Sequence, residues 1–211
     1  MPAVSSDSLI LRTFPVKESD LIVSFLTRES GKLRGYARGV RKPKSRFGAG
    51  LERMSQTRLY YVVRENRDLL NITSCELIQS QFSIAADYEK GIALDFIAEI
   101  SDLLLPAQEV NERHFRLLLA VLNYLRGDGS PWCAVLYASL WSVRLAGLLG
   151  EPMVCEESIQ LAREMLVTPI ADLAPRAWTK ATARDLRRWL LRDIESHTER
   201  RVQSAAILES L

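Results

Sequence analysis

Cysteine and histidine are scarce in this 211-residue chain, and each scarcity excludes a chemistry. The three cysteines, Cys75, Cys133 and Cys155, stand far apart, so they form neither a disulfide framework nor a paired-cysteine metal site. That usage suits a reducing cytoplasm. The two histidines, His114 and His197, have no cysteine or carboxylate set at ligand spacing, and "NERHFR" is expected to hold His114 on an exposed helical face. There is no phosphate-cradling loop of the Walker type, so ATP binding is not expected. There is no G-x-S-x-G elbow either. Apolar runs are broken by charges well short of a membrane span. The start, "MPAVSSDSLILRTF", lacks a basic segment followed by a long apolar one, so no signal peptide is expected. Glu18, Asp20, Glu29 and Asp68 could suggest nuclease chemistry, but they fall at turns, where solvated acids are common. The expectation is a cytoplasmic protein that is not an enzyme and holds no cofactor.

Charge is abundant but uneven. The net charge is only +2. Residues 1–80 carry fourteen Lys and Arg against eight Asp and Glu, whereas residues 81–211 carry fourteen against eighteen. A local basic excess points to a site facing a polyanion. Its centre is "GKLRGYARGVRKPKSRFGAG", residues 31–50, with seven basic residues and no acidic one.

Up to about residue 78 the chain reads as strands: "SLILRTF", "SDLIVSFLT", "LRGYARGV", "TRLYYVV" and "LLNITSCEL", separated by turn signals. Leu21, Val23 and Phe25 alternate onto one face. Five short strands in so few residues suggest a small closed barrel, because an open sheet would leave long edges exposed. After residue 80 the period becomes helical. Tyr88, Ile92, Phe96 and Ile100 form one stripe, and "NERHFRLLLAVLNYLRG" and "WCAVLYASLWSVRLAGLLG" are two more helices, each closed by glycine. The second is apolar on nearly every face and is expected at the centre of a bundle, starting at Ser130 and Pro131. "EESIQLAREML" and "TARDLRRWLLRDIESHT" follow, with "ERRVQSAAILESL" extending or following the last. The fold class is therefore α+β in two parts: a β-barrel over residues 1–79 and an all-α region over residues 80–211.

A basic, glycine-interrupted strand and loop on a barrel suits nucleic acid, since Lys and Arg neutralise phosphates and release counterions. Arg34 and Arg38 fall in the strand pattern, alternating with apolar partners. Tyr36 and Phe47 could stack on bases, although core packing is the commoner fate of Tyr36. The four tryptophans all lie in the helical part, where core packing is the default. On the late helix, Arg184, Arg187 and Arg188 surround Trp189. They read either as a solvated face, as an auxiliary DNA contact, or as a pocket for an acidic peptide with a hydrophobic end.

"ESDLIVSFLTRESGKLRGYARGVRKPKSRFGAGLE" and "TRLYYVVRENRDLLNITSCELIQ" resemble the N-terminus of the RecO family of bacterial recombination mediators. "FIAEISDLLLP", "RLAGLLG" and "HTERRVQSAAIL" agree more loosely. The resemblance implies an OB-fold followed by a helical domain. It implies binding of single- and double-stranded DNA and annealing of complementary strands without ATP. It also implies loading of recombinase onto DNA coated by single-strand-binding protein, with RecR, the tail of single-strand-binding protein, and RecF as partners, in the cytoplasm at the nucleoid. The family's basic surface maps onto Lys32, Arg34, Arg38, Arg41, Lys42, Lys44 and Arg46. Gly35 and Gly39 would permit strand curvature. Many members carry a four-cysteine zinc module after a helix like "WSVRLAGLLG"; here that region has Cys155 alone, and one thiolate cannot make a four-ligand site, so no zinc is expected. A protein-interaction adaptor, working through the helical part with little DNA binding of its own, stands as the alternative.

Overall fold

The computed structural model describes residues 3–42, 44–63 and 69–210. The chain divides into two compact units, residues 1–82 with 105–115, and residues 83–104 with 116–211.

The first unit is a closed five-stranded barrel: β1 (Ala3–Pro15), β2 (Leu21–Thr27), β3 (Gly31–Ala37), β4 (Gln56–Val62) and β5 (Leu70–Gln79), in the order β1-β2-β3-β5-β4. Closure depends on the length of β1. Its first half pairs with β4, from Ala3↔Val62 to Leu9↔Gln56, and its second half with β2, from Ser8↔Thr27 to Pro15↔Leu21. The register shifts between Ile10 and Arg12, a bulge at the bend that lets one strand serve two neighbours. The weakly β-forming "AVSSD" start hides this half in the sequence. All pairs are antiparallel except β3 with β5, which touch only from Gly35↔Leu70 to Ala37↔Ile72. Gly35 is required there: a Cβ would lie 2.6 Å from Ile72 Cγ1. Its role is close approach of two strands rather than curvature.

Inward residues of every strand fill the barrel. Ile10, Val23, Phe25, Leu59 and Ile72 are all buried, and the Phe25 and Tyr61 rings sit 5.9 Å apart. Residues 105–110 add to this unit along the start of β3: Gln108 N–H donates to the Lys32 carbonyl (2.9 Å), and a Cβ on Gly31 would collide with the Glu109 carbonyl.

Beyond β5 the chain is helical. A single turn, α1 (Phe82–Ala85), precedes α2 (Tyr88–Leu104), α3 (Glu112–Arg126), α4 (Pro131–Leu145), α5 (Glu156–Val167), a 3-10 turn at Ile170–Asp172, α6 (Arg184–Thr198) and α7 (Gln203–Ser210). As its all-round apolar sequence requires, α4 is central: Trp132–Leu140 are all buried, and α2, α5 and α6 pack on it. Ser130 and Pro131 do start it, but it ends before Gly147 (φ +73°) rather than at Gly150. Leu186, Leu190 and Ile194, four residues apart, form the buried stripe of α6. Its successor α7 is a separate helix, and Glu99 caps it by accepting N–H bonds from Gln203 (3.0 Å) and Ser204 (2.9 Å). His114 departs from the sequence expectation. It is 2% exposed, and desolvation lowers its pKa to about 4. Trp132 is buried, whereas Trp141, Trp178 and Trp189 are half-buried. No described helix is long and apolar enough to cross a membrane.

Candidate nucleic-acid interface

The turn between β1 and β2 ends at Asp20, and this one carboxylate shapes the site. Asp20 Oδ2 accepts a hydrogen bond from the Tyr36 hydroxyl (2.5 Å), and Oδ1 accepts one from the Gly39 N–H (2.8 Å). The Tyr36 bond first, then the Gly39 bond, hold the Asp20 carboxyl below its ordinary pKa. The same bond raises that of Tyr36. Asp20 is therefore ionised and already engaged as a structural anchor. Glu29 is likewise engaged, accepting from the Ser6 hydroxyl. Asp68 lies outside the described residues.

Beyond β3 the chain folds back in short turns. Gly39 takes φ +69°, Arg41 N–H donates to the Ser19 carbonyl (3.2 Å), Lys42 N–H to Gly39 (3.2 Å) and Ser45 N–H to Lys42 (3.1 Å). Lys44 is held at φ +62°, a conformation that side chains rarely adopt. Phe47 and Leu51, both buried in the barrel core, fasten the far end. Loop and turn together enclose an open groove of about 700 Å3. Arg38, Lys42, Lys44, Arg46 and Lys17 line it, all exposed. None of these five has a carboxylate within ion-pair distance among the described residues. Asp20 is the one acid in the lining among the described residues.

The sequence-marked cations thus fall into three places. Arg38, Lys42, Lys44 and Arg46 converge on the groove. Arg34 is exposed on the outer face of β3, two residues from Tyr36, and Arg41 is exposed on the loop outside the lining. Lys32 is 8% exposed beneath residues 105–110, so its placement does not join it to the groove. Lys17 was not marked, because "PVKES" is one charge in an acid-containing turn; only the pairing Leu21↔Ala37 brings it beside Arg38. The aromatics separate as well. Phe47 is core, at 3% exposure, while Tyr36 is half-buried on the groove wall rather than in the core.

In the helical unit, Arg187 is 4% exposed. It donates to Glu209 Oε1 (3.1 Å) and to the Lys180 carbonyl (3.0 Å), with its Cζ 4.8 Å from the centre of a Trp132 ring. It ties α6 to α7 and is not available to a ligand. Burial lowers its pKa despite the Glu209 bond. Burial also works to raise the pKa of Glu209, but Arg187, Arg188 and Arg184 outweigh it and the net shift is down. Arg184 and Arg188 are exposed and, with Arg192, rim a groove of about 730 Å3 that includes Met153 and Leu191. Asp185 in that wall is engaged with Ser158 Oγ (2.6 Å) and Cys155 N–H (2.7 Å). Burial opposes its ionisation, yet these bonds bring its pKa down to about 2.

The cysteines do not fit a four-thiolate zinc site. Cys155 is exposed at the start of α5, Cys133 is buried in α4, and Cys75 lies in the barrel. Among the described residues no group of three or more His, Cys, Asp or Glu is placed to hold a metal.

A closed five-stranded barrel of OB topology with a cationic groove beside β3, followed by a helical unit, defines a two-part OB-fold protein. Residues 1–81 match the family described as Recombination protein O N terminal, and residues 85–152 match Recombination protein O C terminal. The chain is 34% identical to DNA repair protein RecO of Koribacter versatilis (strain Ellin345), over 98% of both chains. It is 36% identical to that of Bifidobacterium adolescentis over 72% of this chain and 66% of the relative. It is 30% identical to that of Pelotomaculum thermopropionicum over 74% of this chain and 59% of the relative. The chain belongs to the RecO family of DNA repair proteins.

Proposed function

We propose that the groove beside β3 binds the phosphate backbone of single- and double-stranded DNA and that the protein anneals complementary strands without ATP. The observation that carries this reading is the convergence of Lys17, Arg38, Lys42, Lys44 and Arg46 around one groove whose sole acid among the described residues, Asp20, is already hydrogen-bonded. Two DNA strands repel each other. A shared cationic surface lowers that repulsion, so pairing accelerates with no nucleotide hydrolysed. Arg34 and Arg41 flank the groove and extend the same surface. Family membership supports the wider role, at the nucleoid: helping to load recombinase onto DNA coated by single-strand-binding protein, together with RecR and RecF.

The helical unit supports a partner-docking role beside this. Met153 (91% exposed) and Leu191 lie in a groove rimmed by Arg184, Arg188 and Arg192. That combination suits the acidic tail of single-strand-binding protein if the tail ends in a hydrophobic residue.

Titrating a labelled single strand against salt tests the DNA reading. Five phosphate contacts correspond to a slope of about −3.5 in log affinity against log salt. The triple variant Lys42→Glu, Lys44→Glu, Arg46→Glu should weaken all sequences alike and flatten the slope. Unchanged affinity in a folded triple variant would sink the assignment.

A further inference from the structure

Four arginines of the first unit pack over an aromatic ring: Arg28, just past β2, over Phe115 (5.3 Å), and three others. Arg12 Cζ lies 5.0 Å from the Phe14 centroid, Arg38 Cζ 5.8 Å from Tyr36, and Arg46 Cζ 5.6 Å from Phe47. The lysines of the groove, Lys17, Lys42 and Lys44, have no such ring contact among the described residues.

The pairing register places the Phe14 and Tyr36 rings on one side, and the groove lining carries that side on to Arg38 and Arg46. Phe14 and Tyr36 both pair with Ile22, so they face outward two strand spacings apart, roughly 10 Å. Arg12 and Arg34 both pair with Ser24 in the adjacent row. Arg38 and Arg46 line the groove that continues from Tyr36. Phe14, Ile22 and Tyr36 are only half-buried.

A lysine ammonium is a strongly hydrated point charge. An arginine guanidinium is a flat, weakly hydrated plate that stacks on π faces. A ring beneath it restrains the plate and leaves its outer face for another flat group. The flat groups that DNA can offer are its bases, and they are accessible only when unpaired.

We infer that Arg12, Arg38 and Arg46, each propped on an aromatic ring, form a stacking surface for unpaired bases, so that the barrel holds single strands by their bases as well as their phosphates. This rests on the proposed reading of the groove as a DNA site and deepens it. The lysines supply a salt-sensitive contact common to every polyanion. The propped arginines add a contact, insensitive to salt, that duplex and base-free backbone cannot use. In annealing, such a surface holds bases splayed until a complementary strand removes them into a duplex, which then loses the stacking contact and is released.

The test compares three probes of equal length and low secondary structure: oligothymidine, a base-free phosphodiester oligomer, and a blunt duplex. The wild-type chain should bind oligothymidine roughly tenfold tighter than the base-free oligomer, as one or two stacked bases would give. In the charge-conserving variant Arg12→Lys, Arg38→Lys, Arg46→Lys, affinity for oligothymidine should fall to that for the base-free oligomer measured on the same variant. Equal wild-type affinity for oligothymidine and base-free oligomer would overturn the inference while leaving the phosphate groove intact; it needs no variant to fold. So would oligothymidine affinity that survives the triple variant. Binding of none of the three probes at low salt would overturn both this inference and the DNA reading beneath it.

Discussion

At the scale of single residues, hydrogen bonding and burial decide what each charge can do. Asp20 sits among five cations yet neutralises none of them by an ion pair, because Tyr36 and the Gly39 backbone occupy its oxygens. Asp20→Asn should loosen the turn at Gly39 and weaken single-strand binding several-fold in spite of the charge gained, a result that affinity measured at fixed salt would show. If the groove were only a sum of charges, the same variant would bind more tightly. His114 is the residue whose pH dependence is sharpest. Its folded pKa, about 4, is below the unfolded value near 6.5. The unfolded chain therefore takes up a proton first as pH falls. Stability is unaffected above pH 6.5 and declines between there and pH 4, by roughly 3 kcal/mol over the whole window. Denaturant midpoints measured through that window should fall in the wild type and lose most of the slope in His114→Gln. The sequence had suggested an exposed His114, since one polar ring in "NERHFR" carries no mark of what covers it.

At the scale of elements, two contacts illustrate what periodicity reveals and what it leaves hidden. Strand and helix identities were legible, because alternation in "DLIVSFLTR" and the stripe from Tyr88 to Ile100 follow directly from pleat and helix geometry. The bulged, doubly paired β1 and the parallel β3–β5 contact were not, since they depend on non-local register. Gly35 looked like a hinge for curvature; it is the point where β3 meets Ile72. Gly35→Ala should destabilise the barrel by about 1–3 kcal/mol, as overpacking does. Ile72→Val, which removes the Cδ1 that the new methyl would meet at 2.8 Å, should recover part of that loss in thermal melts. On α6, the arginine run resembled a uniform cationic face. Helical spacing instead turns Arg187 inward to Glu209 and Trp132 and leaves Arg184 and Arg188 outside. Arg187→Ala removes the buried partner of Glu209, which keeps only the longer contacts to Arg188 (3.7 Å) and Arg184 (3.9 Å), and leaves space beside Trp132, so it should cost about 1–3 kcal/mol in unfolding experiments. Arg188→Ala should cost little.

At the scale of the whole molecule, charge partition accounts for the proposed division of labour. The basic excess of residues 1–80 becomes a groove on the barrel, and the acid-rich remainder builds a helical unit with its own arginine-rimmed groove. Most of the barrel groove was legible because Arg38, Lys42, Lys44 and Arg46 are close in sequence as well as in space. Lys17 and Arg12 were not, because only strand pairing brings them to that side. Lys32 fell away from the groove because residues 105–110, seventy positions further along, cover it. The central claim is that this groove pairs strands. Its most direct test is the annealing rate of two complementary labelled oligonucleotides, without ATP, at low and moderate salt. The account predicts acceleration by the wild-type chain that fades with salt and is lost in the folded Lys42→Glu, Lys44→Glu, Arg46→Glu variant. Acceleration that is equal in the variant, or absent from the folded wild type, would contradict it.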